Sequence, residues 1–147
     1  MVGTIDFDVR VYFDSSALIK RSVHEAESDA VEEAFDRYVA EDAVIISSSL
    51  AWVEVSRALR TRLDGGSYSE DTIQEAVEGA LAGVAERLIT GEVIGLARRV
   101  VPRLLRTIDA IHLATAILLD ADEIVVYDDR LFDACRSNGL SAVMPGR

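Results

Sequence analysis

The segment TIDAIHLATAILLDADEIVVYDD, residues 107–129, decides the fold. Its first half is apolar nearly all round at helical spacing, as in a buried helix. Its second half, over residues 123–127, reads as a strand around the β-branched Ile124, Val125 and Val126, covered on both faces. Only residues 120–122 join the two, so helix and strand run antiparallel and the helix start returns to the strand's carboxyl end. Asp109, in the first helical turn, and Asp128, directly after the strand, therefore belong to one edge.

The same alternation holds upstream. Residues 9–13 read as a strand, and residues 25–40 place Ala30, Val31, Ala34, Phe35 and Tyr38 on one helical face. Residues 43–47 are a second strand, after which Ser48 or Ser49 caps a helix that runs to about Leu63 and stops before Gly65 and Gly66. Ser69 opens another helix, with Ile73, Val77 and Ala80 on its apolar face. Residues 86–106 read as a short extended piece and a helix ending near Pro102, and Thr107 is expected to cap the helix over 108–119. A helix over 130–137 and a short strand over 141–144 close the chain. This order predicts an α/β fold, with a central parallel sheet flanked by helices, as a single domain over residues 1–147. Right-handed crossovers put the strand carboxyl ends on one edge, where ligands bind in such sheets.

Composition narrows the function. Of 147 residues, 50% are apolar and 28% charged with only two prolines, which excludes a disordered or collagen-like chain. The most apolar run, residues 113–119, is far short of the roughly 18 residues a membrane span needs. Residues 1–10 carry aspartates and no hydrophobic core, so a secretion signal is not expected. Cys135 alone makes neither an internal disulfide nor a zinc knuckle. The expected setting is the cytoplasm, without membrane contact. Twenty-six acids against fifteen bases give a net charge of −11, the reverse of a protein that coats nucleic acid. Contact with nucleic acid then needs local basic clusters or a bound cation. Every base except Lys20 is an arginine, a residue suited to planar contacts with phosphate or carboxylate.

Two further acids fall on the same edge. Asp14 directly follows the first strand, and Glu54 lies about one and a half turns, roughly 8 Å, into the helix after the second. Each acid has a local alternative. Asp14 could be a plain turn residue, Glu54 could pair with Arg57 on the surface, and Asp109 could only complement the helix dipole. Asp128 or Asp129 could merely cap the next helix. Pooled on one edge, four carboxylates repel one another, and a divalent cation with oxygen ligands relieves that repulsion. Neither a glycine-rich phosphate loop nor a G-x-S-x-G elbow is present. Of the two imidazoles, His24 and His112, the latter sits one turn from Asp109 and reads as a packed core residue. Metal-assisted hydrolysis is the one chemistry the sequence equips.

These blocks resemble PIN-domain nucleases, and most closely VapC-type toxin ribonucleases. VYFDSSALIK at 11–20 is similar to the family's opening motif and assigns Asp14; SLAWVEV at 49–55, followed by Arg57, Ala58 and Leu59, assigns Glu54. TIDAIHLATA at 107–116 assigns Asp109, and VVYDDRL at 125–131 assigns Asp128. The family often has a hydroxyl residue two before the last aspartate, where this chain has Val126; that departure leaves Asp128 and Asp129 both open. The resemblance implies a Mg²⁺-dependent endoribonuclease, with Mn²⁺ as substitute, acting as the toxin of a toxin–antitoxin pair. Its implied partners are RNA, a cognate antitoxin protein and a second copy of itself in a homodimer. Asp14, Asp109 and Asp128 would hold the metal, and Glu54 would orient or deprotonate the attacking water. Candidate phosphate contacts are Arg57, Arg60 and Arg62, with Arg98, Arg99, Arg103 and Arg106; a solvated charged face is the alternative for both sets. Two other classes stay open. A receiver-like Mg²⁺-binding signalling domain would show a lysine after a late strand, whereas the one lysine here is Lys20. A non-catalytic acidic interaction module would need no metal.

Overall fold

Neighbouring residues of the first strand face two different cores. In β1 (Arg10–Phe13), Val11 and Phe13 pack to one side of the sheet and Tyr12 to the other, all three essentially buried. The same two-residue period divides Ile45 from Ile46 in β2 (Val44–Ser48) and Val125 from Ile124 in β4 (Glu123–Val125). A strand apolar on both faces needs cover on both, and the connections supply it. The computed structural model describes residues 8–64, 66 and 68–147. The expectation of no secretion signal rests largely on residues 1–7, and the expected helix stop rests partly on Gly65; both lie outside the described residues.

Five parallel strands lie in the order β3-β2-β1-β4-β5, with β3 at Ala85–Arg87 and β5 at Ala142–Val143. The chain moves outward from β1 through β2 to β3, then returns to β4 on the other side of β1. Right-handed crossovers therefore put the outward helices on one face and the returning helices on the opposite one. On the first face lie α1 (Ser15–Ile19), α2 (Ser28–Ala40), α3 (Ser49–Leu63) and α4 (Glu70–Leu81), contributing Leu18, Phe35, Val55, Leu59 and Val77. The second core takes Leu113 and Ala116 of α6 (Thr107–Leu118) and Leu131 and Cys135 of α7 (Asp129–Ser137). The helix α5 (Gly91–Ala97) precedes α6. The reversal of winding falls between β1 and β4, so the crevice expected of such a switch point lies at their carboxyl ends.

The α/β class and the parallel sheet agree with the sequence reading. Several boundaries differ. The strand expected over 123–127 stops at Val125, because the Tyr127 amide donates to Ser16 Oγ (3.1 Å) rather than to a neighbouring strand. Thr107 is not a cap but the first helical residue; Arg106 occupies the N-cap position without a side-chain bond. The helix expected to end near Pro102 stops at Ala97. Ser48 rather than Ser49 caps α3, its hydroxyl accepting from the Leu50 amide (3.1 Å). Among the described residues no helix is long and apolar enough to cross a membrane.

Candidate active site

Asp14 leaves β1 at the crevice and caps α1. Its Oδ1 accepts from the Ala17 amide (3.1 Å) and from Ser16 Oγ (2.6 Å), while its own amide donates to the Val125 carbonyl (3.1 Å). Ser16 Oγ also accepts from the Tyr127 amide, so one hydroxyl ties the end of β1 to the end of β4. Only 5% of Asp14 is exposed. Burial pushes its carboxyl up to about 6, with the Glu54 charge adding to the rise; His112 and the bonds from Ser16 and Ala17 oppose it.

Glu54 projects from the second turn of α3, and its Oε1 accepts from Ser15 Oγ (2.7 Å) and from His112 Nε2 (2.6 Å). Partial burial raises its pKa, but the bond and charge of His112 and the Ser15 hydroxyl outweigh that and hold the carboxyl below its ordinary value. Among the described residues the alternative surface pair with Arg57 does not form, because partners from two distant elements take the carboxylate instead. His112 is 2% exposed, as a core histidine should be, yet both ring nitrogens are used. Nε2 faces a carboxylate and so donates. Nδ1 meets the Tyr12 hydroxyl at 2.6 Å, and that oxygen accepts from the Ser48 amide (3.3 Å). Burial pushes the Tyr12 hydroxyl far above its ordinary pKa, which keeps its proton available to Nδ1. The result is a relay of oriented bonds running from β2 through Tyr12 and His112 to Glu54.

Asp109 lies in the first turn of α6 and Asp128 at the start of α7. Burial and then repulsion from Asp128 raise the Asp109 pKa; His112 and Arg106 oppose the rise, and Glu54 adds to it. Asp128 is the N-cap of α7, its Oδ1 accepting from the Leu131 amide (2.9 Å). Asp129 turns outward, with its side chain 84% exposed and 3.9 Å from Arg147. Val126 points into the second core and is fully buried, so it takes no part at the crevice; the hydroxyls there come from Ser15 and Ser16. Burial first, and then the charges of Asp14 and Asp109, push the Cys135 thiol up to about 12.

A family model described as the PIN domain matches residues 11–137. Ribonuclease VapC46 of Mycobacterium tuberculosis is 40% identical over 137 residues, covering 92% of this chain and 97% of that protein. The chain belongs to the PIN-domain family of VapC ribonucleases. A second VapC relative, Ribonuclease VapC47 of the same species, is 32% identical over 138 residues, 92% of this chain and 97% of its own. Among solved structures, the sarcin-ricin loop cleaving toxin VapC20 of M. tuberculosis superposes with a TM-score of 0.66 at 17% identity, over 92% of this chain and 99% of that one. VapBC2 of Rickettsia felis, solved bound to a DNA fragment from its promoter, gives 0.72 at 13% identity, over 92% and 98%. At such identities these two likenesses concern the fold.

VapC nucleases of the PIN-domain family generally use a divalent metal. Among the described residues no group of three or more His, Cys, Asp or Glu side chains is closed up to hold an ion. The donor set nevertheless fits one in kind. Every bond accepted by Asp14 and Asp128 falls on Oδ1, and Asp109 accepts none among the described residues, so each aspartate keeps oxygen lone pairs to offer. Hard oxygens carrying surplus negative charge suit a hard cation. In this VapC chain the local supports were the part hidden from sequence: Tyr12, Ser15, Ser16 and His112. The one available signal was the pair of hydroxyls directly after Asp14.

Proposed function

We propose that the chain is a Mg²⁺-dependent endoribonuclease, with Mn²⁺ as substitute, whose catalytic acids are Asp14, Glu54, Asp109 and Asp128. What supports this reading is that, in a VapC-family chain, Asp14 and Asp128 stand beyond the carboxyl ends of the paired strands β1 and β4, while the charge of Glu54 acts on Asp14 and Asp109 and that of Asp128 acts on Asp109. Asp14, Asp109 and Asp128 would hold the cation. Bound there, it would lower the pKa of a water and stabilise charge on the scissile phosphate.

This chain's own residues supply the rest. Glu54 is held ionised at neutral pH by the His112 and Ser15 bonds, so it can orient the attacking water and accept its proton. With Oε1 occupied, Oε2 is the oxygen left for that task. Capping bonds at Asp14 and Asp128 fix those two carboxylates to the starts of α1 and α7. Asp128 rather than Asp129 serves, since Asp129 faces solvent.

VapC toxins pair with VapB antitoxins. In the cytoplasm this chain would act as such a toxin, as a homodimer, silenced by a cognate antitoxin that brings arginine or lysine to the acidic crevice. Purified protein should cleave RNA with Mg²⁺ or Mn²⁺ and stop in EDTA. Undiminished cleavage in excess chelator overturns the mechanism. Expression alone should arrest growth, and co-expression of the antitoxin should relieve it; harmless expression with all four acids intact overturns the toxin reading.

A further inference from the structure

The sequence offers two sets of arginines as phosphate contacts, and the structure separates them. In α3, Arg60 is bonded to Glu70 (2.5 Å) and Arg62 to Glu25 (3.2 Å), so two of those three charges are already met by carboxylates. Arg98, Arg99, Arg103 and Arg106 have no carboxylate within ion-pair distance among the described residues, and all four are exposed. Residues 93–108 hold these four arginines and no acid, in a chain of net charge −11. Arg98, Arg99 and Arg103 line one cavity of about 450 Å³. Arg98 and Arg103 also line a neighbouring one of about 340 Å³, which Thr107, Ala110 and Ile111 line as well. Those three residues belong to the opening of α6, the stretch that carries Asp109. Arg106 lies close enough to Asp109 for its charge to act on that carboxyl.

We propose that Arg98, Arg99, Arg103 and Arg106 form the surface that grips the RNA phosphate backbone and leads it to the acidic crevice. The proposal deepens the nuclease reading above and rests on it. An RNA strand approaching four carboxylates on an anionic protein meets repulsion, and an uncompensated positive patch bordering the crevice offsets it locally. Arginine suits the task because its planar fork meets phosphate oxygens in pairs. The segment also exposes Leu104 (94%) and Ile108 (45%), the kind of side chain a protein partner would cover. Its charge decides for RNA: four arginines without acids mark a polyanion, and they adjoin the acids that would cut it.

The test uses the full chain carrying Asp14→Asn, so that RNA stays intact, with a fluorescein-labelled single-stranded RNA of mixed sequence at one fixed Mg²⁺ concentration. Affinity is measured by anisotropy across a KCl series. Adding Arg98→Gln and Arg103→Gln together should weaken binding and flatten the plot of log affinity against log salt by about 1.4, at about 0.7 for each phosphate no longer neutralised. Adding Arg60→Gln and Arg62→Gln instead should leave the slope unchanged. Equal slopes for the two pairs, or a weakening confined to the Arg60 and Arg62 pair, overturns the proposal. So does an Arg98/Arg103 variant that binds RNA normally but no longer co-purifies with a co-expressed antitoxin, since the surface then belongs to a protein. Cleavage by the wild-type chain is scored separately: its absence strikes the nuclease reading, while RNA binding and co-purification decide the arginine surface.

Discussion

Replacing Asp14 by asparagine should make the cation-free protein more stable, by an amount that grows with pH. Asp14 is 5% exposed, and its carboxyl is pushed from 3.8 to about 6, mainly by burial. A group whose folded pKa is raised contributes fully below its unfolded pKa, and that contribution is lost as pH climbs through the folded value. Between about pH 4 and pH 6 the wild type therefore loses stability that an asparagine, which does not ionise, keeps. A rise of about two units corresponds to about 3 kcal/mol. Asparagine also preserves the cap, since its side-chain oxygen still accepts from the Ala17 amide and the Ser16 hydroxyl. Urea unfolding of both proteins in EDTA, at intervals from pH 4 to pH 8, gives the difference directly. The two should coincide near pH 4, with the variant ahead by up to about 3 kcal/mol at pH 8. A gap that stays flat with pH, or a variant less stable at pH 8, refutes the claim that Asp14 is a buried charge held for a ligand.

Three other outcomes follow from the same geometry. At 100 times its Kd, Mg²⁺ or Mn²⁺ should stabilise the wild type by about 2.7 kcal/mol, and Asp14→Asn or Asp109→Asn much less, as read by thermal melts with and without EDTA. Tyr12→Phe should cost about 1–3 kcal/mol in urea unfolding by leaving His112 Nδ1 buried without its donor. The same change loosens the hold on Glu54, so the acid limb of the cleavage pH profile should move upward; an unmoved limb contradicts the relay. Leu113→Ala in the second core, where Leu113 is 1% exposed, should cost about 2–5 kcal/mol while leaving the Mn²⁺ response intact.

What the sequence revealed and what it concealed divide along a physical line. Strand periodicity and the short link between α6 and β4 are local, and they sufficed to put Asp14, Asp109 and Asp128 on one edge. Glu54 was legible as an acid at the right depth in its helix, but its local geometry suggested Arg57 as partner. Its actual partners, Ser15 and His112, lie 39 and 58 residues away and become neighbours only when the sheet assembles. The end of β4 was hidden for a similar reason. Residues 124–127 all favour a strand, and only the distant Ser16 hydroxyl takes the Tyr127 amide out of the ladder. The choice between Asp128 and Asp129 likewise depended on which side chain the start of α7 turns inward.

Everything proposed for this chain turns on four acids from four separate elements acting as one cation-dependent cleavage site. Single-turnover RNA cleavage at fixed Mg²⁺ puts that to the proof, with Asp14→Asn, Glu54→Gln, Asp109→Asn, Asp128→Asn and, as control, Asp129→Asn measured beside the wild type. Each of the first four should fall by about 10²-fold or more, while Asp129→Asn should cut at the wild-type rate. Full activity in Asp109→Asn or Asp128→Asn, or a loss confined to Asp129→Asn, would contradict the shared site.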